Sequence, residues 1–310
     1  MGKLRKSKLK VLVFLTLPVE DETMSRGKTI QIYLTDGEPT GIRTAELTTS
    51  ISKAVLIPRK RLNEASNRAE VSQAGLYFLF ENQGFGEEAR VYIGQSLNCY
   101  NRLKQHNSDG KKDYWNLAVA FITKDNSFTP THLSFLEQVA ISKANEANRF
   151  SVENAVQPSN FVISESMEAE CQDHFDAIIL LLGTLGLPVF KVLSKSAPAE
   201  ESMDQVFSMK ARGSEARGMM TDEGFVILAG SYGPLDVTNS YAPDKVELRS
   251  KLIERGILAL EENHLHFVED VLMGTPSGAA DLVCGRRCNG WTMWKNDKGI
   301  TLDQVYRNPN

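Results

Sequence analysis

Short runs of apolar and β-branched residues, separated by turn sequences, predict several strands in the first half of the chain. Residues 75–80 and 90–95 are rich in Leu, Tyr, Phe, Val and Ile. They flank the turn-like stretch 81–89, so they are expected to form a β-hairpin. The other predicted strands are two within residues 29–47, one at 53–57 and one at 114–123.

A helical spacing of apolar residues begins directly after the predicted hairpin. Ser96 is expected to cap a helix whose apolar side carries Leu97, Tyr100 and Leu103. Residues 194–205 are polar and lack an apolar rhythm, which is typical of a linker. Further helices are predicted at residues 131–147, 168–182, 245–255 and 276–285.

After the linker the pattern changes, which indicates a second small domain. Residues 224–231 are strand-like, and residues 289–294 are expected to open a hairpin through the turn at 296–299. Trp291 and Trp294, close to two arginines, could stack on bases, although anchoring a core is the commoner role of such a pair. Both roles stay open.

These patterns divide the chain into five parts. The stretch at 24–73 could belong to the sheet of the following domain or form a hairpin of its own. The predicted parts are a disordered extension at 1–23, an N-terminal β-hairpin module at 24–73, a domain with its following helix at 74–193, the linker at 194–205 and a C-terminal α+β domain at 206–310.

Composition and charge exclude few classes of protein or function. The 310 residues are 42% hydrophobic and 24% charged, which is ordinary for a soluble protein. Because the net charge is −4, any nucleic-acid binding has to rely on local basic patches. The candidate patches are Arg59-Lys60-Arg61 and the group of Arg102, Lys104, Lys111 and Lys112.

The sequence favours a cytoplasmic protein without a membrane segment. The apolar run at 11–17 is followed by acidic residues and no cleavage site, and the run at 177–182 is too short to span a bilayer. Cys284 and Cys288 lack the further ligands that would complete a zinc site, and reduced thiols are the default for four cysteines in a chain of this size.

Two tyrosines of the predicted hairpin are the first candidate functional residues. Tyr77 and Tyr92 are about equally far from the loop centre, so they are expected to lie nearly opposite each other on one face of the sheet. Gly75 and Gly94 lie two residues away along the strands. Their missing side chains are expected to let a substrate backbone approach closely. Simple packing of strand aromatics is the competing explanation.

Three further candidates follow on the predicted helices. Arg102 and His106 are four residues apart and share a helix face, which suits them to gripping a phosphate. Glu137 falls inside the apolar arc of its helix. An unpaired charge there is costly, so its expected partner is an Arg, a backbone donor or a bound cation. Together the set indicates a site that cuts phosphodiester bonds.

The triplets Gly75-Leu-Tyr77 and Tyr92-Ile-Gly94, with Arg102, His106 and Glu137 behind them, resemble the GIY-YIG nuclease family. The family pattern ends with an Asn beyond the Glu. Asn154 is the best match for that position, and Asn160 is its rival.

The resemblance implies an α/β (α+β) fold with a small antiparallel sheet packed by helices, next to a separate small α+β C-terminal domain. It also implies hydrolysis assisted by a divalent ion held by Glu137. A single carboxylate favours one Mg²⁺ or Mn²⁺ ion that keeps several waters.

The roles implied by the resemblance are specific. Tyr77 acts as general base, which requires nearby cations because the reference pKa of a phenol is about 10. Arg102 clamps the phosphate. Tyr92 and His106 orient reacting groups. The expected substrate contacts are Gly75, Gly94, Lys104 and Asn154.

The C-terminal segment resembles an uncharacterised domain found attached to such nucleases, through residues 228–231, 276–280 and 285–294. The prediction is therefore a metal-dependent endonuclease that acts on DNA, with the C-terminal domain contributing to substrate binding. Two alternatives remain: a degenerate nuclease fold that only binds nucleic acid, and a scaffold in a repair or defence complex. The oligomeric state is left open.

Overall fold

A computed structural model describes residues 27–81, 89–110, 113–154, 163–192, 206–211, 213–239 and 241–308. Within these residues the chain forms two α+β domains, each built on one β-sheet. The expected extension at 1–23 and the linker at 194–205 lie outside the described residues, as do Lys111, Lys112 and Asn160.

The first domain is a seven-stranded sheet with helices on both faces. All strand pairs are antiparallel except β5 with β7, and the spatial order is β1-β2-β3-β6-β4-β5-β7. The strands are β1 (Ile30–Leu34), β2 (Arg43–Leu47), β3 (Ser52–Pro58), β4 (Gly75–Phe80), β5 (Arg90–Ser96), β6 (Leu117–Thr123) and β7 (Ser151–Val152). The helices are α1 (Cys99–Ser108), α2 (Pro130–Ala147) and α3 (Glu165–Thr184), with short 3-10 helices at Arg59–Arg61, Glu64–Asn67 and Ala69–Ser72.

The N-terminal strands belong to this same sheet. Strand β3 pairs with β6 along its whole length, from Ser52 opposite Thr123 to Pro58 opposite Leu117. Ala54 and Leu56 of β3 lie in one buried cluster with Phe78 of β4. The described part of residues 24–73 therefore completes this sheet and shares its core.

Alternation along β4 assigns its residues to two faces. Leu76, Phe78 and Phe80 pack beneath α2 and α3, whereas Tyr77 and Leu79 pack beneath α1 and the 3-10 helices. All six residues of β4 are buried because helices cover both faces. Consequently the two faces of the hairpin meet different helices, and this decides where each site residue can lie.

Helix α1 begins two residues later than the sequence predicts. Its N-cap is Asn98, whose side chain accepts a hydrogen bond from the Asn101 backbone N–H. Strand β5 continues to Ser96, so the chain needs two further residues to turn into the helix. The Ser96 hydroxyl instead donates to the Asn98 carbonyl, and Leu97 is exposed rather than packed.

The second domain packs four helices on a second sheet. Its strands are β8 (Val206–Ala211), β9 (Ser214–Thr221), β10 (Gly224–Ile227), β11 (Tyr232–Gly233), β12 (Leu258–Leu260), β13 (Leu265–Phe267) and β14 (Val271–Met273). They lie in the order β12-β13-β11-β9-β10-β14, with β8 also paired to β9. The helices are α4 (Pro243–Glu254), α5 (Pro276–Cys284), α6 (Gly290–Met293) and α7 (Leu302–Tyr306).

The prediction of a strand at residues 289–294 is wrong. Asn289 caps the short helix α6, because its side chain accepts a hydrogen bond from the Trp291 N–H. The tendency of Asn to cap helices therefore outweighs the strand-like sequence that follows it. The following turn does form, because Lys295 and Thr301 bridge across it. Trp294 is fully buried against Phe225, with ring centroids 4.6 Å apart, which makes it a core residue.

Polar contacts join the two domains at the end of α2. Asn148 Nδ2 donates to Glu269 at 2.9 Å, Arg149 pairs with Glu223, and Lys191 reaches the same Glu223 at 2.7 Å. A cleft of about 600 Å³ lies along this seam. Among the helices in the described ranges, none is long and apolar enough to cross a membrane.

Candidate active site

The hairpin of β4 and β5 places both tyrosines on the α1 face, but in a different register from the predicted one. Tyr77 lies opposite Gly94, and Tyr92 lies opposite Leu79. The two tyrosines are therefore diagonal neighbours, with ring centroids 6.2 Å apart. The sequence predicted that the two tyrosines lie nearly opposite each other, but the actual register shifts them by two residues. The prediction that they share one face of the sheet is correct.

The two glycines of the triplets make room for the protein itself. A Cβ at Gly94 would collide with the Tyr77 phenol, so its absence allows the phenol to lie across β5. A Cβ at Gly75 would meet the Phe121 carbonyl oxygen and the Cys99 sulfur. The space beside the two glycines, which was predicted to accommodate a substrate backbone, is thus occupied by side chains and backbone of the same domain.

Helix α1 directs two polar groups at the Tyr77 hydroxyl. His106 is buried, and its Nε2 lies 2.8 Å from Tyr77 Oη. Arg102, one turn earlier, donates from Nε to the same oxygen at 3.3 Å and from Nη1 to Gln105 at 2.9 Å. The predicted shared face of Arg102 and His106 is present, and it points at the phenol.

Burial raises the pKa of the Tyr77 phenol above its ordinary value, and the nearby Tyr92 phenol adds to the rise. The contact with the Arg102 guanidinium opposes this rise without cancelling it. In the absence of further positive charge, the phenol therefore keeps its proton at neutral pH. The Tyr92 and His106 rings pack edge to face, with their centroids 5.4 Å apart, and both lie beside the Tyr77 phenol.

Glu137 approaches from the other face of the sheet. It lies on α2, half-buried, and its Oε2 accepts a hydrogen bond from Gln95 Nε2 at 3.0 Å. Burial raises the pKa of the Glu137 carboxyl above its ordinary value, although the Gln95 hydrogen bonds and the Arg102 charge oppose the rise. The expected partner was an Arg, a backbone donor or a cation; the structure supplies the Gln95 backbone N–H and the Arg102 charge, together with the Gln95 side-chain amide.

The outer edge of β5 is where the two faces come together. Strand β7 pairs only with Arg90 and Val91, so the rest of this edge lacks a strand partner among the described residues. The positive charge of Arg102, on the tyrosine face, lowers the pKa of the Glu137 carboxyl against the effect of burial.

Asn154 lies at the same edge. Its side chain accepts from the Ile93 backbone N–H at 3.1 Å and donates to the Ile93 carbonyl at 2.7 Å. The Asn154 amide thus replaces a strand partner at Ile93, beyond the point where β7 ends. Asn154 therefore stabilises β5 directly, in addition to any contact that it makes with a substrate.

The predicted basic patches differ in availability. Lys104 is exposed on α1, with its Nζ over the Tyr100 ring. Arg59 is bound to Asn107, to Asp113 and to backbone carbonyls, and Arg61 is paired with Asp36. Both arginines are thus engaged within the domain.

Gln95 is the site residue that the sequence reasoning missed. It follows Gly94 directly, so strand alternation predicts that it points away from the tyrosines and toward the opposite helices. A polar residue at a position expected to face the core was the available signal. Ser134 on α2 accepts from the same amide at 3.0 Å and belongs to the same contact.

A phenol, an imidazole and a guanidinium thus meet on one face of the hairpin, and a carboxylate contacts β5 from the other face. The comparison with family models identifies the domain that carries these residues. Residues 73–150 match the model of the GIY-YIG catalytic domain, and residues 207–306 match that of DUF4357, a domain of unknown function. The chain therefore carries a GIY-YIG domain of endonuclease type, followed by a DUF4357 domain. Searches of curated proteins and of solved structures gave no match.

Proposed function

We propose that this protein hydrolyses DNA phosphodiester bonds with the help of one divalent cation, and that its C-terminal domain contributes to substrate binding. The observation that carries the proposal is the contact of Tyr77 Oη with both His106 Nε2 and Arg102 Nε, at 2.8 and 3.3 Å. Simple packing of strand aromatics requires neither of these polar partners.

The residues present fit a single Mg²⁺ or Mn²⁺ ion. Glu137 offers a half-buried carboxylate at the strand edge, and within the described ranges no three His, Cys, Asp or Glu side chains cluster as a metal cage. Mg²⁺ suits such a site, because it keeps several waters and binds through one or two carboxylates plus substrate phosphates. When bound, the cation would stabilise negative charge on the phosphate and on the leaving oxygen.

Tyr77 and His106 provide a route for a proton. Arg102 has only donors, so Tyr77 Oη accepts from Arg102 Nε, and the phenol proton is free to point at His106 Nε2. His106 in its Nδ1–H tautomer accepts that proton. The resulting phenolate of Tyr77 can then accept a proton from the attacking water, which is the general-base role. His106 orients the phenol and holds the proton that the phenol has lost.

Arg102 and Tyr92 complete the phosphate side of the site. The Arg102 guanidinium is partly exposed on α1, has five N–H donors and hydrogen-bonds Tyr77, Gln105 and Tyr92. Its positive charge and planar set of donors suit a phosphate oxygen and stabilise the negative charge that develops during hydrolysis. Tyr92, diagonal to Tyr77, orients the water or the phosphate.

The proposed role of the C-terminal domain is supported by its place of attachment. It docks through Glu223 and Glu269 on residues 148 and 149, directly after α2, the helix that carries Glu137. A substrate that contacts both domains would therefore be held in a fixed relation to the carboxylate. Lys104 near the site and the exposed Arg287 of the second domain are available for phosphate contacts.

The experiment is a cleavage panel. Full-length protein is mixed with labelled single-stranded, duplex and branched DNA and with matching RNA, with and without Mg²⁺. Cleavage of DNA that requires the metal and is absent in Glu137→Ala supports the proposal. Glu146→Ala, an exposed carboxylate on the same helix, is the matched control and should cut normally.

Two other outcomes point elsewhere. Retention of DNA without cleavage at any metal concentration would favour a nucleic-acid-binding module with a degenerate site. A complete lack of DNA affinity at low salt, where phosphate contacts are strongest, would favour a scaffold.

A further inference from the structure

Gln95 occupies an unusual place in the hairpin. It is half-buried, lies opposite Leu76, and directly follows Gly94, the residue across which the Tyr77 phenol lies. Because side chains alternate along a strand, Gln95 points to the α2 face while its neighbour Gly94 lies beneath the phenol. Adjacent residues of β5 therefore contact Tyr77 on one face of the sheet and Glu137 on the other.

The Gln95 amide makes two hydrogen bonds to α2. Its Nε2 donates to Glu137 Oε2 and to Ser134 Oγ, each at 3.0 Å. An ionised carboxylate can only accept hydrogen bonds, so the nitrogen of the amide must face Glu137. Ser134 and Glu137 are three residues apart on one helix face, so both N–H groups of the amide find partners at once.

A neutral donor has a particular advantage next to a cation site. A Lys or Arg at position 95 would also orient the carboxylate, but its charge would repel a divalent ion and compete for the same oxygens. The amide restrains the carboxylate without adding charge. The amide of Gln95 donates to Glu137 Oε2, and the Gln95 backbone N–H adds a second neutral donor to the same carboxylate.

We propose that Gln95 is a positioning residue that holds the Glu137 carboxylate in the orientation in which it would bind the divalent cation. This inference rests on the proposed function, because it assigns a cation to Glu137. It adds a residue to which neither the family resemblance nor the family models assign a role.

The test compares Mn²⁺ binding to full-length variants by electron paramagnetic resonance. Gln95→Met keeps the length of the side chain and removes the donor. Gln95→Lys keeps a donor and adds a charge. Gln172→Met is the matched control, because Gln172 also donates to a carboxylate one turn away, that of Asp176, on an exposed helix face. Thermal melts confirm that each variant is folded.

We expect Gln95→Met to weaken Mn²⁺ binding by about 10- to 100-fold, the usual effect of losing a group that orients a metal ligand. In cleavage assays the Mg²⁺ concentration for half-maximal rate should rise, while the rate at saturating Mg²⁺ changes far less. Partial unfolding would have the opposite signature, a lower maximal rate at an unchanged Mg²⁺ requirement. Gln95→Lys should bind Mn²⁺ more weakly still, and Gln172→Met should match the wild type.

Wild-type Mn²⁺ affinity in both Gln95 variants, combined with loss of binding in Glu137→Gln, would overturn the role of Gln95 and leave the proposed cation site intact. Equal Mn²⁺ binding by wild type and Glu137→Gln would instead overturn the cation site itself, and the role of Gln95 with it.

Discussion

At the scale of single residues, the chemistry of the site depends on where the proton of Tyr77 goes. Burial raises the pKa of this phenol, and one guanidinium contact does not restore the ordinary value. His106 Nε2, at 2.8 Å, is the group in position to take the proton. In the proposed base mechanism His106 is therefore the acceptor of the phenol proton.

Glu137 gives a prediction that links pH to stability. Burial raises the pKa of its carboxyl, so the stability associated with this group is fully present below the unfolded pKa and is lost as pH rises through the folded pKa. Glu137→Gln should therefore stabilise the metal-free protein at pH 7.5, by at most about 0.5–1 kcal/mol because the side chain is only half buried. The gain should vanish near pH 4.

Calorimetric melts in the presence of a chelator measure this effect. The exposed Glu146→Gln on the same helix is the control, and it should not raise the melting temperature, because its ion pair with Lys143 lowers its carboxyl pKa. A lower melting temperature for Glu137→Gln at pH 7.5 would contradict the raised pKa of the Glu137 carboxyl.

Several of these residue positions could be predicted from the sequence. The spacing of four between Arg102 and His106 places them on one helix face whatever the packing, and both do meet Tyr77. A backbone donor and an Arg were among the predicted partners of Glu137, but the Gln95 side chain was not, because its contact depends on which face of β5 lies against α2. The space beside Gly94 was assigned to a substrate for a similar reason: its filling by Tyr77 depends on the strand register.

At the scale of elements, the site depends on how firmly α1 and β5 are held. Helix α1 carries Arg102 and His106, and its first turn is capped by Asn98. The outer edge of β5 is held by the Asn154 amide at Ile93. Both are single polar side chains that replace backbone partners, which short helices and short edge strands cannot supply themselves.

Asn98→Ala tests the importance of the α1 cap. Loss of an N-cap costs about 1 kcal/mol, and fraying of the first turn should disturb Arg102, which donates from the second turn. We expect a lower melting temperature together with a reduced single-turnover cleavage rate. Ser164→Ala removes the N-cap of α3 and is the matched control. It should cost similar stability and leave the rate unchanged; an equal loss of rate in both variants would exclude a specific role of α1.

The long helices α2 and α3 are predictable from apolar periodicity, because each has one face that must be buried, and the hairpin is predictable from two apolar runs that flank a turn sequence. The start of α1 is not, since Ser96 and Asn98 are both good caps and only the length of β5 decides between them. A similar ambiguity explains the error at Asn289, where an Asn that fits a turn became a helix cap.

At the scale of the whole molecule, the two domains are joined by polar contacts at the end of α2. Glu223 pairs with Arg149 and Lys191, and although burial tends to raise its pKa, these ion pairs hold the pKa of the carboxyl below its usual range. The stabilisation from this group is therefore present above the unfolded pKa and is lost as pH falls through the folded pKa.

The double variant Glu223→Gln, Glu269→Ala should loosen this docking. The partly exposed ion pairs of Glu223 contribute only up to about 1 kcal/mol each, so removing the hydrogen bond from Asn148 to Glu269 together with them gives the clearer signal. We expect a larger radius of gyration in small-angle X-ray scattering at pH 7.5 and weaker DNA binding by the full chain. Glu215→Gln, which breaks an exposed pair with Lys210 within the second domain, should change neither. An unchanged radius in the double variant would show that other contacts set the docking.

The most direct measurement is the single-turnover cleavage rate of Tyr77→Phe at saturating Mg²⁺ on the best DNA substrate. Removing the hydroxyl takes away the base and should slow the reaction by about 10²- to 10⁴-fold, with DNA affinity nearly unchanged. Tyr232→Phe, which loses a hydroxyl bonded to Glu215 in the second domain, should cut at the wild-type rate. A Tyr77→Phe protein that cuts as fast as the wild type would show that the phenol takes no part in the chemistry.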